Sequence, residues 1–248
     1  MGGPVGQKVH INVDLAEGYG NWACGPDIEL LPLIDHANVA CGFHASDPLI
    51  MIGTVGAHVG LPDLQGFGRR ELKLTPSEHT ANRIYQIGAL QGFVTREDVP
   101  LHHVKPHDML YGMMCRDYEV ATALMRGIPA GVAVFGLPGT NMEKAALDLG
   151  SPFMAEVYDD VKYNSDRSLL RERRGDAWTN SKVPRHVTEQ IETSSVTAVD
   201  GTAVELPIGS HPISLCCHSD VPGCVEVVEE ARAVVDAFNR KYFPRSMA

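Results

Sequence analysis

The chain has 248 residues, 44% hydrophobic and 21% charged, an ordinary globular composition and long enough to bury a sizeable core without staples. Its net charge of −10 argues against nucleic acid or an anionic membrane surface as the main partner, but leaves room for a small anion in a local basic pocket. None of the six cysteines forms a C-x-x-C pair, Met1-Gly2-Gly3-Pro4 opens no apolar signal region, and no apolar run nears the roughly 18 residues of a membrane span. The expectation is a reduced, cytoplasmic protein.

Val9-His10-Ile11-Asn12-Val13-Asp14-Leu15 alternates like a strand and runs into Ala16-Glu17-Gly18-Tyr19-Gly20. Asp14 and Glu17 therefore fall at a strand's C-terminal end, where carboxylates are poor strand formers; solvated loop carboxylates are the bland alternative. Gly25-Pro26 opens a short helix to about Ile34. His36-Ala37-Asn38-Val39-Ala40-Cys41-Gly42-Phe43-His44 then reads as a strand entering a glycine turn. Ser46 or Asp47 can cap a following helix, and Pro48 suits its first turn. Leu49, Ile52, Val55, Ala57 and Val59 predict a core-facing helix over 48–59, although His58 can instead close a short strand.

Residues 61–72 read as a loop in which Gly66, Gly68, Arg69 and Arg70 either cradle a carboxylate or phosphate or are simply solvated. Thr75-Pro76-Ser77-Glu78 is a capping box that starts a helix to about residue 90 or 93. A strand over 99–104 leads into Lys105-Pro106-His107-Asp108, followed by a helix over 109–125. A strand at 130–135, the turn Gly136-Leu137-Pro138-Gly139 and a second capping box, Thr140-Asn141-Met142-Glu143, come next. Residues 152–157 form a strand carrying Glu156, and the charged run 158–176 is a solvated excursion or a lid. A helix over 184–192 and an extended piece at 196–199 precede the last buried strand, 213–217. It ends in His218-Ser219-Asp220, with Asp220 as cap of a final helix. Cys41, Cys216 and Cys217 read as buried thiols, and the helical His79 and His186 as exposed.

Alternation of strand and helix with seven or so strands predicts parallel pairing with crossover helices. The natural single-domain solution for 1–248 is an α/β barrel of roughly 250 residues. Asp14, Glu17, His44, Asp47, Lys105, His107, Glu156, His218 and Asp220 all lie at or just after strand ends, where such folds keep their chemistry.

Several of these stretches, taken together and in order, resemble the LamB/YcsF family, which includes the A chains of 5-oxoprolinases and lactam-utilisation proteins. They are Asp14-Leu15-Ala16-Glu17-Gly18-Tyr19-Gly20, the run Asn38 to Pro48, Gly66-Phe67-Gly68-Arg69-Arg70, Tyr85-Gln86-Ile87-Gly88-Ala89-Leu90, Val104-Lys105-Pro106-His107 and Cys217-His218-Ser219-Asp220. The resemblance implies a distorted seven-stranded (β/α) TIM-like barrel of the glycoside hydrolase/deacetylase type. It implies hydrolysis of a cyclic amide, typically 5-oxoproline, coupled in bacteria to ATP through partner subunits. The chain departs from the pattern where Asp108 replaces Gly, Ser219 replaces Gly, Val161 replaces Arg, and Val59 follows Gly56-Ala57-His58 in place of Pro.

Opening an unstrained lactam needs a positioned water, a base, and groups that take charge on the oxygen and protonate the nitrogen. The candidate catalytic residues are Asp14, Glu17, His44, Lys105, His107 and His218, with Asp14 or Glu17 as base. Asn38, Asp47, Arg69, Arg70, Glu156 and Asp220 are candidates for binding substrate. Asp14, His44 and His58 are the candidate ligands of a divalent metal, as in the related deacetylases. No G-x-x-x-x-G-K-[ST] is present, so ATP would act through partner subunits. Homo-oligomerisation stays open, as do an isomerase or lyase acting on a related ring, a metal-dependent deacetylase-like hydrolase, and a catalytically idle scaffold protein.

Overall fold

A computed structural model describes residues 3–47, 56–170 and 182–244. The elements run β1 (Val9–Leu15), α1 (Asp27–Leu30), β2 (His36–Ala40), β3 (Gly56–Val59), α2 (Pro76–Arg96), β4 (His103–Pro106), α3 (Asp108–Arg116), α4 (Tyr118–Met125), β5 (Ala133–Gly136), α5 (Asn141–Asp148), β6 (Phe153–Tyr158), α6 (Val183–Thr193), β7 (Ser195–Thr197), β8 (Ala203–Glu205), β9 (Ile213–His218) and α7 (Cys224–Tyr242). Strands β1 to β6 and β9 close a barrel in that order. Every adjacent pair in it is parallel. β7 and β8 form a separate antiparallel hairpin.

Alternation along the strands divides their side chains between two environments. Ile11, Val13 and Leu15 of β1 belong to the apolar core with Leu90 of α2, Leu110 of α3, Leu124 of α4 and Val228 of α7. Each such side chain contributes on the order of 1.5–3 kcal/mol by burial. The alternate positions carry Asn12, Asp14, Asn38, Lys105, Glu156, Ser214 and Cys216, all buried. Bonds between strands that are not neighbours place them inside the barrel: Asn38 of β2 meets His103 of β4, Asp14 of β1 meets Lys105, and Lys105 meets Cys216 of β9. The barrel interior is thus polar, where bulky aliphatic side chains are the usual filling.

Several expectations change in detail. Residues 56–59 are strand, not helix end, since parallel pairing with β2 and β4 claims their backbone; the rest of the helix expected over 48–59, with Leu49, Ile52 and Val55, lies outside the described residues. The helix over 109–125 is two helices, because Asp117 turns extended and its side chain caps α4 at Glu119 and Val120. α7 begins after Gly223 rather than at Asp220, which is held elsewhere by Arg69. The capping box at Thr75 and Glu78 forms as expected. His79 and His186 are buried, not exposed; the His186 ring is held by the Val161 carbonyl. The charged run 158–176 is described only to residue 170, where Tyr163 and Leu169 bridge. No helix among the described residues is long and apolar enough to cross a membrane.

Candidate active site

A cavity of about 660 Å³ opens at the C-terminal mouth of the barrel, lined by Asp14, Glu17, His58, Lys105, His107 and His218 among others. That volume is typical of small-molecule sites. Its outer part is more apolar, with Leu137, Pro138, Tyr158, Val161, Leu169 and Val221.

One wall is a cluster of neutral imidazoles. Leu15 ends β1, Ala16 turns at φ 58°, and Glu17 swings its carboxylate inward. Its Oε1 lies 3.2 Å from His44 Nε2, 3.6 Å from His58 Nε2 and 3.4 Å from His107 Nδ1. His44 and His107 stack at 3.8 Å between ring centres. The backbone at Gly68 (φ 64°) passes so close that a Cβ there would fall 2.8 Å from His44 Cβ and 2.9 Å from His107 Cδ2, so only glycine fits.

The tautomers on this wall follow from carbonyls, which only accept. His58 Nδ1–H donates to Lys105 O at 3.1 Å, and His107 Nε2–H donates to Phe67 O at 2.8 Å. The other ring nitrogens, His58 Nε2 and His107 Nδ1, then face each other as lone pairs 3.0 Å apart. Burial, reinforced by the neighbouring rings, holds His44 and His107 well below the ordinary histidine value; His58 is lowered too, with Asp14 opposing. Glu17 moves the other way, raised well above its ordinary value by burial and then by Asp14 and Asp220.

Neutral lone pairs that converge, each ring oriented from behind by a carbonyl, are the arrangement of a metal-ligating histidine set. The ligand atoms of Glu17, His44, His58 and His107 all lie within 4.8 Å of one another. The donor set fits a divalent cation of the zinc type. Asp14, expected as a ligand, borders this set with Oδ2 3.3 Å from His58 Nε2.

The opposite wall is charged. Asp14 Oδ1 pairs with the Lys105 ammonium and accepts from Asn38 Nδ2 at 2.8 Å. Burial opposes ionisation of Asp14, but His58 and Lys105 outweigh it and hold the carboxyl well below its usual range. Lys105 is correspondingly raised against its own burial by Asp14 and Cys216. His218 Nδ1 meets both oxygens of Asp160, at 2.9 and 3.1 Å. Burial would discharge this ring, yet Asp160 and then Cys216 raise it well above the ordinary value. His218 is therefore an imidazolium whose Nε2 lies 3.8 Å from Asp14 Oδ2 and faces the cavity.

The remaining expected residues divide. Arg69 and Asp220 line the mouth, joined at 2.8 Å, and Asp108 takes the other side of Arg69 at 3.2 Å. Glu156 is buried below Lys105 and does not line the cavity; burial raises its carboxyl. Asn38 is buried inside the barrel behind Asp14. Asp47 accepts from Gly20 N on the surface. Arg70 is held by Asp63 away from the cavity. Asp160 was absent from the expected set although it completes the His218 pair; its one sequence signal is its place two residues past β6.

The LamB/YcsF family model matches residues 9–247. A protein of Emericella nidulans named lactam utilization protein lamB is 61% identical, over 96% of this chain and 98% of its own. Proteins named as the A subunit of 5-oxoprolinase are 37% identical in Limosilactobacillus fermentum, over 93% of this chain and 96% of theirs, and 36% in Pyrococcus furiosus, over 96% and 97%. The crystal structure of a lactam utilization protein from Thermus thermophilus superposes with a TM-score of 0.83 at 35% identity, covering 94% of this chain and 98% of the other.

Proposed function

The chain belongs to the LamB/YcsF family, and on that premise we propose that it is a hydrolase that opens a cyclic amide in the cavity at the barrel mouth. The observation that carries the reading is the convergence of Glu17, Asp14, Lys105 and His218 on one cavity, in a chain similar to proteins named for lactam utilisation and 5-oxoproline.

The chemistry divides between the walls. A base works best with a pKa near the working pH. Asp14 is held too low for that, whereas Glu17 is raised, so Glu17 takes the proton of a water. The hydroxide adds to the lactam carbonyl carbon. As the C–N bond breaks, His218 Nε2 gives its proton to the departing nitrogen, leaving an open-chain amine and a carboxylic acid. Groups whose surroundings push their pKa values apart mark such acid and base assignments. Lys105 keeps Asp14 ionised, and Asp14 sits beside both the His58 and His218 rings. His44, His58 and His107 would hold a divalent metal, with Glu17 alongside; when bound, the ion supplies Lewis-acid polarisation and acidifies water.

The naming of the relatives as one subunit of a larger enzyme supports ATP coupling through partner subunits. The test is turnover of 5-oxoproline and carboxylate-free lactams by the purified chain, alone and with ATP plus 5-oxoprolinase-type partner subunits, with Glu17→Gln as control. Ring opening that the control lacks is the expected result. No opening of any ring in any arm would overturn the reading and leave the scaffold alternative.

A further inference from the structure

Behind Asp14 a chain of side-chain hydrogen bonds runs down the barrel axis to its far end. Asn38 is its junction. Its Nδ2 donates to Asp14 Oδ1 at 2.8 Å and to Asn12 Oδ1 at 2.6 Å. Both hydrogens of the amide are thereby used, and Asn12 Nδ2 in turn donates to Ser214 Oγ at 2.7 Å. Asn38 Oδ1 therefore accepts, and it meets His103 Nε2 at 2.7 Å. Only the Nε2–H form of His103 satisfies this contact. Its Nδ1 is then an acceptor, 3.1 Å from His102 Nδ1, which supplies the hydrogen.

The His103 ring is fixed in place. It is wholly buried and stacks on Phe135 at 4.0 Å and 6°. A Cβ at residue 56 would fall inside the ring, so Gly56 makes the space that the imidazole fills. Burial and the neighbouring His36 and His102 keep the ring neutral, so its one variable is which nitrogen carries the hydrogen.

We propose that His103 is a positioning residue: through Asn38 it orients the Asp14 carboxylate from the opposite half of the barrel. With the hydrogen on Nδ1, His103 Nε2 would accept, and Asn38 would have to turn its amide over to donate to it. The amide oxygen would then face the Asp14 and Asn12 oxygens, three acceptors together, and Asp14 would rotate away. With the hydrogen on Nε2, Oδ1 of Asp14 stays held by Asn38 and Lys105, and Oδ2 stays turned to His58 and His218. Partners at one remove from reacting groups typically change activity about 10- to 100-fold.

The inference rests on lactam opening for its kinetic readout but not for its structural one. Long-range 1H–15N spectra of the wild-type protein report the His103 tautomer without any turnover. Nε2–H is expected, and Nδ1–H overturns the proposal whatever the enzyme does. In kinetics, His103→Met removes the donor and should lower kcat about 10- to 100-fold with KM nearly unchanged, while His103→Gln, which keeps an N–H at the ε position, should recover most of the loss. In an Asn38→Ala background, His103→Met should cost nothing further. A folded His103→Met with full kcat, or losses that multiply in the double variant, would contradict it. If His103→Met does not fold, the tautomer and the Gln variant still decide. Failure of every lactam to react would strike the proposed hydrolase, not this inference, for which a crystal structure of His103→Gln with Asn38 and Asp14 unmoved stands as support and a rotated Asp14 as refutation.

Discussion

The two walls of the cavity use the same residue type for opposite ends. His44, His58 and His107 are buried among one another and lose their charge. His218 is held by Asp160 and keeps its charge. Burial alone discharges an imidazole; a carboxylate at hydrogen-bond distance reverses the outcome. The chain thereby places lone pairs on one side of a substrate and a proton on the other.

Breaking the base should have the largest effect. Glu17→Gln keeps the shape but not the proton acceptor, and kcat should fall about 100- to 10,000-fold, with an unchanged circular dichroism spectrum. Next comes the neutral wall as a ligand set. Equilibrium dialysis against zinc should show one bound ion, and His107→Ala should weaken binding at least about tenfold; equal zinc retention by the variant would remove His107 from the set. At the mouth, Arg69→Ala loses Asp108 and Asp220 from an exposed position, so thermal melting should show a stability loss of no more than about 1 kcal/mol, while KM for a lactam changes several-fold. Far from both walls, Thr75→Ala removes the α2 cap at a cost of about 1 kcal/mol and should leave kcat unaltered, a control that separates stability from chemistry.

Much of this was legible in the residues because the signals are local. The strand-to-helix alternation, the Thr75-Glu78 cap and the polar residues at strand ends each depend on neighbours a few positions apart. What the chain order hides is which distant group claims a given charge. Arg70 is free to bind an anion as far as its neighbours in sequence go, yet Asp63 holds it. Asp160 and His218 are 58 positions apart, and no periodicity announces their pairing. The continuous helix over 109–125 failed because Asp117 offers its carboxylate to the backbone of the next turn. One further signal is readable: His10-x-Asn12-x-Asp14 and Ser214-x-Cys216-x-His218 carry polar residues at every second position. In a strand that spacing lines one face, and here the face is the barrel interior.

The contrast between the walls is tested most directly by the pH dependence of kcat/KM in the wild type and in Asp160→Asn. His218 has its pKa raised in the fold, so its proton is retained as pH rises past the ordinary value of 6.5, and the stability it contributes is likewise present below 6.5 and lost on the alkaline side. The alkaline limb of the wild-type profile should therefore lie above 6.5. In Asp160→Asn the chief cause of the rise is gone, burial dominates, and the limb should move to lower pH with a loss of about 10- to 100-fold at its plateau. An alkaline limb that stays in place when Asp160 loses its charge would contradict the assignment of His218 as the acid.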